Sequence, residues 1–402
     1  MPWKTSCEKE QRWQFVQEAL RGRISLCELC RRRHISRKTA YKWLERFGQR
    51  GRWGLADRLR APRRVHNRPA ARWLARIKRW RAAHPTWGAP KLRWALRQRF
   101  GSRGVPSESA ISRWLKQWGL SRKRRRPAHK GPWLARPLLS VAHQPNDVWT
   151  VDFKGWFRTG DGVRVEPLTV RDLASRYILS VSLRREQSVE DCRGVFAEIF
   201  RTYGLPAVIR SDNGAPFGST GALGLTRLSA WWLRLGIAVE FIAPGHPEQN
   251  GAHEQLHRVY QQETLEPPGR SLRAQKIRTE RWRRHYNQER PHESLGMAVP
   301  AQRYRKSPRK LPARMKPWRY PRGWESRLVK GKGMISFNGK SRFIGEAFEG
   351  HRVGLRWKHT GVWEVHFGRH LIGELWEADG TSGIRAVWYR GRRRNSPAAR
   401  FG

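Results

Sequence analysis

Cysteine, long apolar runs and acidic side chains are all in short supply in this chain. Four cysteines in 402 residues (Cys7, Cys27, Cys30 and Cys192) do not make a disulfide framework at this length. Cys27 and Cys30 form a CxxC, but no second CxxC stands near it. The pair falls in a helical pattern where small thiols pack, so a buried structural role is expected rather than zinc or redox work. No run approaches the roughly 18 apolar residues of a membrane span, and the opening stretch MPWKTSCEKEQRWQF holds no apolar signal region. A soluble, intracellular protein with no membrane partner is expected.

Acid is scarcest of all relative to its opposite: 32 Asp and Glu stand against 83 Lys and Arg, a formal charge of +51. A basic tail could carry such charge, but 22 Trp, 14 Phe and 8 Tyr show that this chain has cores to bury. So large an imbalance calls for an acidic partner, most simply a nucleic acid backbone, and a cytoplasmic, nucleoid-associated location. The charge is unevenly spread. Residues 1–142 carry 38 basic and 7 acidic side chains, residues 271–402 carry 31 and 10, and residues 143–270 carry 14 and 15. Two basic arms flank a nearly neutral centre where the carboxylates gather, a division suited to holding phosphates outside and metal cations inside.

The pattern predicts a multidomain chain with an all-α amino-terminal part, a central α/β core and a small carboxy-terminal β-barrel. In residues 1–50, Ser25 and Ser36 read as N-caps of two short helices, the second showing Arg37, Lys38, Lys42 and Arg46 on one face. That is a helix-turn-helix pattern. A basic linker follows at 51–68. Residues 69–121 repeat the theme, with Ser107 opening a helix and Arg93, Arg97, Arg113 and Lys116 available for phosphate, so tandem helix-turn-helix units are expected. A basic, proline-rich linker with Arg124 covers 122–145. From 146 to 300, β-rich segments (DVWTVDFKG, VEPLTVRDL, RYILSVSL) give way to alternating helix and strand, closed by a helix ending in Tyr286, Asn287, Arg290 and His292. These four are expected to support the core or DNA, with core packing for Tyr286. A linker at 301–330 leads to short strands at 331–380, with Asn338-Gly339 as a hairpin turn, and residues 381–402 form a basic tail.

Three carboxylates stand out in the centre. Asp152 lies mid-strand among apolar neighbours, where an unpaired carboxylate is costly unless it meets a cation. Asp212 ends an apolar strand just before Asn213-Gly214, and strand ends are where α/β sheets present functional groups. Glu254 lies on a following helix, opposite the stripe of Leu256, Val259 and Tyr260 and beside Arg258; it faces either the open end of the sheet or solvent. Carboxylates from two strands and a helix suit paired Mg²⁺ ions, which prefer oxygen ligands.

The runs WTVDFKG, RSDNGAPF and PGHPEQNGAHE closely resemble the three blocks of the retroviral-integrase-like core, and more closely still those of bacterial insertion-sequence transposases. YNQERPHESLG, HPTWGAPKL and ISFNG…GHRVGL extend the match over nearly the whole chain. The resemblance implies an RNase H-like core and two metal ions, Mg²⁺ with Mn²⁺ as substitute. It also implies cleavage and joining of transposon ends, with Asp152, Asp212 and Glu254 as catalytic metal ligands. Recognition of terminal inverted repeats by the helical units, insertion into target DNA and homo-oligomers bridging both ends follow from it too. Glu248 competes with Glu254 within the same block. The 42 positions between Asp212 and Glu254 exceed the usual retroviral spacing, so GSTGALGLTRLSAWW reads as an insertion.

The same residues carry two rival readings. His253-Glu254-Gln255-Leu256-His257 spells HExxH, the zinc-protease signature. The two helical units alone would also suit a sequence-specific DNA-binding protein without catalysis, such as a regulator or a decayed element.

Overall fold

Serine caps start the helices of the amino-terminal third. Ser25 Oγ accepts the Glu28 amide at 3.3 Å, Ser36 Oγ that of Thr39 at 3.1 Å and Ser107 Oγ that of Ala110 at 3.2 Å, each satisfying a donor the first helical turn leaves free. The computed structural model describes residues 7–57, 71–121, 139–243 and 247–387, divided into two units, Met1–Pro69 and Ala70–Gly402. Most of the segment expected to be the first linker, most of the second, Arg124 within it and the end of the basic tail lie outside the described residues.

In the first unit, α1 (Glu8–Arg21), α2 (Leu26–Arg32) and α3 (Arg37–Arg50) close around Phe15, Val16, Leu29, Cys30, Ala40 and Trp43. The start of the expected linker belongs to this core. A 3-10 turn at Gly51–Leu55 buries Leu55 in the same cluster. The turn requires glycine, since a Cβ at Gly54 would lie 2.1 Å from the Arg46 carbonyl oxygen. Cys30 is buried there, as the helical pattern predicts.

The second unit begins with α4 (Ala71–Ala83), α5 (Ala89–Phe100) and α6 (Glu108–Gln117), packed through Trp73, Ile77, Trp87, Leu92, Leu96, Ile111 and Leu115. A mixed sheet follows. Its strands are β1 (Val148–Phe153), β2 (Phe157–Arg158), β3 (Arg164–Asp172), β4 (Ile178–Arg184), β5 (Val208–Ser211) and β6 (Ala238–Phe241). β1 is central, antiparallel to β3 and parallel to β5; β6 lies parallel beyond β5, and β2 and β4 pair with β3. Trp149 and Val151 join the cluster formed by α7 (Val189–Tyr203) and α8 (Arg227–Arg234), where Phe196, Phe200 and Trp232 interlock. The segment expected to be an insertion supplies α8 and the buried Leu223, Leu225 and Leu228, so it is part of the core. A second apolar cluster unites Ile178 with Leu256 and Tyr260 of α9 (Gly251–Tyr260) and Trp282 and Tyr286 of α10 (Leu272–Gln288).

The expected linker at 301–330 is an ordered strap. After α11 (Pro300–Arg303), Tyr304 stacks on Tyr177 at 4.4 Å, and the Arg309 guanidinium donates to the carbonyls of Pro206, Leu235 and Gly236. The carboxy-terminal region is strand-rich but not a closed barrel. β10 (Arg352–His359), β11 (Val362–Phe367) and β12 (His370–Trp376) form an open sheet, edged by β7 (Glu325–Leu328) and β13 (Arg385–Ala386). The hairpin of β8 (Met334–Phe337) and β9 (Lys340–Phe343) pairs only with itself among named strands, turning at Asn338-Gly339 with both φ angles positive. A 3-10 turn at Gly331–Gly333, with Lys332 at φ 58°, precedes β8, and the β8–β9 hairpin forms a separate two-stranded sheet beside the five-stranded one.

Candidate active site

Parallel pairing of β1 with β5 matches Thr150 to Arg210. Two residues further along each chain stand Asp152 and Asp212, at the carboxyl ends of adjacent parallel strands. Because Trp149 and Val151 point to the α7–α8 cluster, Thr150 and Asp152 fall on the opposite face by strand alternation, the face that α9 covers. Asn250, which precedes α9, donates from Nδ2 to Asp152 Oδ2 at 2.9 Å. The Gly214 amide donates to Asp212 Oδ1 at 3.3 Å, so the Asp-Asn-Gly turn orients its own carboxylate.

Burial drives both carboxyls up in pKa. Asp152 is raised to about 7, first by loss of solvation, then by the charge of Asp212 and, more weakly, that of Glu254. Asp212 is raised by burial. Neither is in an ion pair among the described residues. Glu254 is exposed on α9 yet within electrostatic reach of Asp152. Among the described residues, no three acidic, histidine or cysteine side chains converge on one point. Pairing of β1 with β5 brings Asp152 and Asp212 to neighbouring strand ends, whereas Glu254, exposed on α9, does not complete a three-residue cluster with them. The side chain of Glu248 lies outside the described residues. Two half-buried carboxylates with no cationic partner among the described residues are a fitting donor set for hard divalent cations.

An expected outcome follows for the metal-free protein. Asp152 has a folded pKa above its ordinary value, so the folded state holds this proton more tightly than the unfolded chain does. The stabilisation is full below pH 3.8 and is lost as pH rises through about 7. Denaturant unfolding in chelator should show Asp152→Asn matching wild type near pH 4 and exceeding it near pH 8, by up to about 4 kcal/mol. Parallel pH curves for the two proteins would refute the burial argument.

The histidines of HExxH are occupied elsewhere. His253 is fully buried; its Nε2 meets Thr169 Oγ1 at 2.5 Å and its Nδ1 meets Thr150 Oγ1 at 2.9 Å. His257 Nε2 meets the same Thr169 hydroxyl at 2.8 Å. Burial pushes His253 well below the usual imidazole range and His257 down to about 4, so both are neutral. The nitrogens that a zinc reading needs face sheet threonines.

Of the basic candidates in the first unit, Arg37, Lys38 and Lys42 are exposed and Arg46 is half-buried. Arg37 contacts Cys27 Sγ at 2.9 Å, and Lys42 and Arg46 lie over Trp43. In the second unit Arg93 pairs with Glu108 at 3.5 Å and Arg97 donates to Ser102 Oγ, while Arg113, Lys116 and Arg258 are exposed. Tyr286, Asn287 and Arg290 are buried, and His292 packs on Tyr286 at 4.9 Å, so this group supports the core. Asn287 docks α10 to β4 by bonding both the amide and the carbonyl of Ile178.

Two further residues were not singled out from sequence. Asn250 could have been, from the Asn-Gly pair preceding Glu254. Glu263 could not. It accepts from Arg290 Nη1 at 2.8 Å, Trp282 Nε1 at 2.7 Å and the Thr86 hydroxyl, joining three segments distant in the chain.

Comparison with known proteins fits this layout. Two family models, each described as an integrase core domain, match residues 142–247 and 235–300. A homeodomain-like domain model matches residues 39–115, and the IS481 family transposase C-terminal domain matches 325–379. The chain is 31% identical over 236 residues to the insertion element IS476 uncharacterized 39.2 kDa protein of Xanthomonas euvesicatoria, covering 58% of this chain and 65% of that one. It is 28% identical over 209 residues to the insertion element IS407 uncharacterized 31.7 kDa protein of Burkholderia multivorans, covering 52% and 72%. The chain therefore spans just under two thirds of the first relative. Among solved structures, it is similar to an HTLV-2 integrase catalytic core domain in complex with magnesium (TM-score 0.31, 18% identity, 41% of this chain and 100% of that one). It is also similar to a simian T-cell lymphotropic virus intasome in complex with PP2A regulatory subunit B56 gamma (TM-score 0.36, 13% identity, 75% and 95%).

Proposed function

We propose that the chain is a bacterial insertion-sequence transposase of the retroviral-integrase-like superfamily, which cleaves transposon ends and joins them to target DNA; the integrase core and transposase C-terminal matches and the insertion-element relatives support this reading. The observation that carries this reading is the half-buried pair Asp152 and Asp212 at adjacent strand ends, two carboxyls with no cation to balance them among the described residues. Asp152, Asp212 and Glu254 would hold two Mg²⁺ ions, with Mn²⁺ as substitute, and the bound ions would activate the attacking oxygen and stabilise the leaving one. The chain's own residues do the rest. Asn250 fixes one oxygen of Asp152 and the Gly214 amide fixes Asp212. Once ions bind, the proton that burial places on Asp152 near neutral pH must leave, so metal uptake should release it.

DNA is the proposed partner, with tandem helix-turn-helix units reading the terminal inverted repeats and homo-oligomers bridging two ends. Arg37, Lys38, Lys42, Arg113, Lys116 and Arg258 are exposed cations suited to phosphate, with Arg46, Arg93, Arg97 and Arg124 as further candidates. Binding should therefore weaken steeply with salt, by roughly 10³-fold or more between about 50 and 200 mM if six or more phosphates are neutralised. A flat salt titration by fluorescence anisotropy would contradict the electrostatic argument.

The deciding experiment is a cleavage assay on the DNA flanking the element, with Mg²⁺, with Mn²⁺ and with chelator. Metal-dependent nicking at the ends supports transposition. The second reading, a DNA-binding protein without catalysis, has in its favour that Glu254 does not complete a three-residue cluster with the aspartate pair. It prevails if the chain binds those ends and never cuts them.

A further inference from the structure

The two histidines of the HExxH run have no part in the function proposed above, yet both are tied to the sheet that carries Asp152. Thr169 is the register partner of Asp152 across β1 and β3. Its hydroxyl donates to the Asp152 carbonyl at 2.9 Å, which leaves two lone pairs. His253 Nε2 and His257 Nε2 meet that same oxygen at 2.5 Å and 2.8 Å, so both nitrogens must carry their proton and donate. His253 Nδ1 then accepts from the Thr150 hydroxyl at 2.9 Å. Every donor and acceptor of Thr169 Oγ1 is used. Two more bonds hold the start of α9: Arg171 donates to the Ala252 carbonyl at 2.5 Å and Asn250 to Asp152 itself. Thr150, Asp152, Thr169 and Arg171 occupy one face of the sheet by strand alternation, and α9 lies across it.

We propose that His253, His257 and Thr169 form a positioning clamp that fixes the rotation and height of α9 on the Asp152 face, and so sets where Glu254 stands relative to Asp152 and Asp212. None of the three touches the reacting atoms. A helix pinned at two positions one turn apart cannot roll about its axis, and Glu254 lies between those pins. A rigid support of this kind is what separates carboxylates that close around an ion from carboxylates that merely lie near one another. The clamp also explains why a zinc motif can occur here without zinc: α9, which bears Glu254, uses two imidazoles at i and i+4 to straddle one threonine.

The inference rests on the transposase reading, and its tests separate the two. In the metal-free full chain labelled with ¹⁵N-histidine, both imidazoles should appear by NMR as the neutral Nε2–H form; either one as Nδ1–H overturns the clamp. Thr169→Val keeps the shape and removes the hydroxyl. It is expected to weaken Mn²⁺ binding, read by electron paramagnetic resonance, and to lower the single-turnover cleavage rate, each by roughly 10- to 100-fold. KM for DNA should not change, and Thr169→Ser should restore both. A folded Thr169→Val with wild-type Mn²⁺ affinity and rate overturns the proposal, as does stoichiometric zinc in the purified chain that His257→Ala abolishes. Wild-type chain that cuts no DNA and takes up no Mn²⁺ overturns the catalytic reading instead, while the imidazole forms still decide the clamp.

Discussion

Asp152→Asn is expected to abolish DNA cleavage and joining, by roughly 10³-fold or more, while leaving DNA affinity within about twofold of wild type. Removal of one member of a set that acts as a unit has effects on that scale. The substitution is close to isosteric, and the amide oxygen can still accept from Asn250 Nδ2, so local geometry should persist. Only the negative charge is lost. Since Asp152 is half-buried and repelled by Asp212, its charge costs the metal-free protein stability. The variant should therefore be at least as stable as wild type above neutral pH, so that lost activity cannot be blamed on unfolding. The phosphate-binding cations proposed for the first unit belong to a separate compact unit of the chain. Asp212→Asn should behave alike. Glu254→Gln is the sharper comparison, because Glu254 is exposed and does not complete a three-residue cluster with the pair. Cleavage assays beside anisotropy measurements check all three, and Mg²⁺-dependent cutting by Asp152→Asn would remove the carboxylate from the mechanism.

The legible parts of this protein are those written locally. Ser25, Ser36 and Ser107 announce helix starts because a cap is settled within three residues. Asn338-Gly339 announces a hairpin because both positions need positive φ. Asp152 and Asp212 stand out as acids among apolar strand residues, but their adjacency comes from the parallel pairing of β1 and β5, which no spacing encodes. Where the chemistry of a motif depended on partners far along the chain, spacing misled. HExxH spells zinc, while Thr150 and Thr169, more than 80 positions away, take both histidines. The basic segment at 301–322 reads as a linker by composition. Its order comes from carbonyls at Pro206, Leu235 and Gly236 that accept from Arg309. The expected barrel is not formed among the described residues for a reason equally distant from pattern: alternation gives strands, but closure depends on which strands pair, and here β8 and β9 pair with each other and not with the edges of the five-stranded sheet.

Arg290→Ala is expected to destabilise the second unit by about 3–5 kcal/mol, the cost of leaving one charge of a buried pair without its partner. Arg290 and Glu263 are 4% and 10% exposed at their side chains and 2.8 Å apart. Glu263 is fully engaged, accepting from Arg290, Trp282 Nε1 and the Thr86 hydroxyl, and Arg290 also donates to Thr86 at 2.8 Å. Thr86 lies in the HPTWGAPKL loop between α4 and α5, whereas Arg290 follows α10, so this cluster is what fastens the helical layer to the core. Stacked rings extend the same seam: His84 lies 4.0 Å from Trp87 and 5.1 Å from His285, at interplanar angles of 15° and 5°. Lys91 sits close enough for Arg290 to help burial lower its pKa to about 8, so cations already crowd the site, offset at Lys91 by Glu293 and then Glu263. Glu263→Ala should cost at least as much as Arg290→Ala, since it leaves the buried Arg290 without its ion-pair partner beside Lys91. The double variant should cost less than the sum of the two, because its second substitution removes a charge already unpaired. Urea unfolding followed by tryptophan fluorescence measures all three, with Trp87 and Trp282 reporting at the seam itself. Single-variant losses below about 1 kcal/mol, or strictly additive ones, would mean that the rings and not the ion pair hold the helical layer in place.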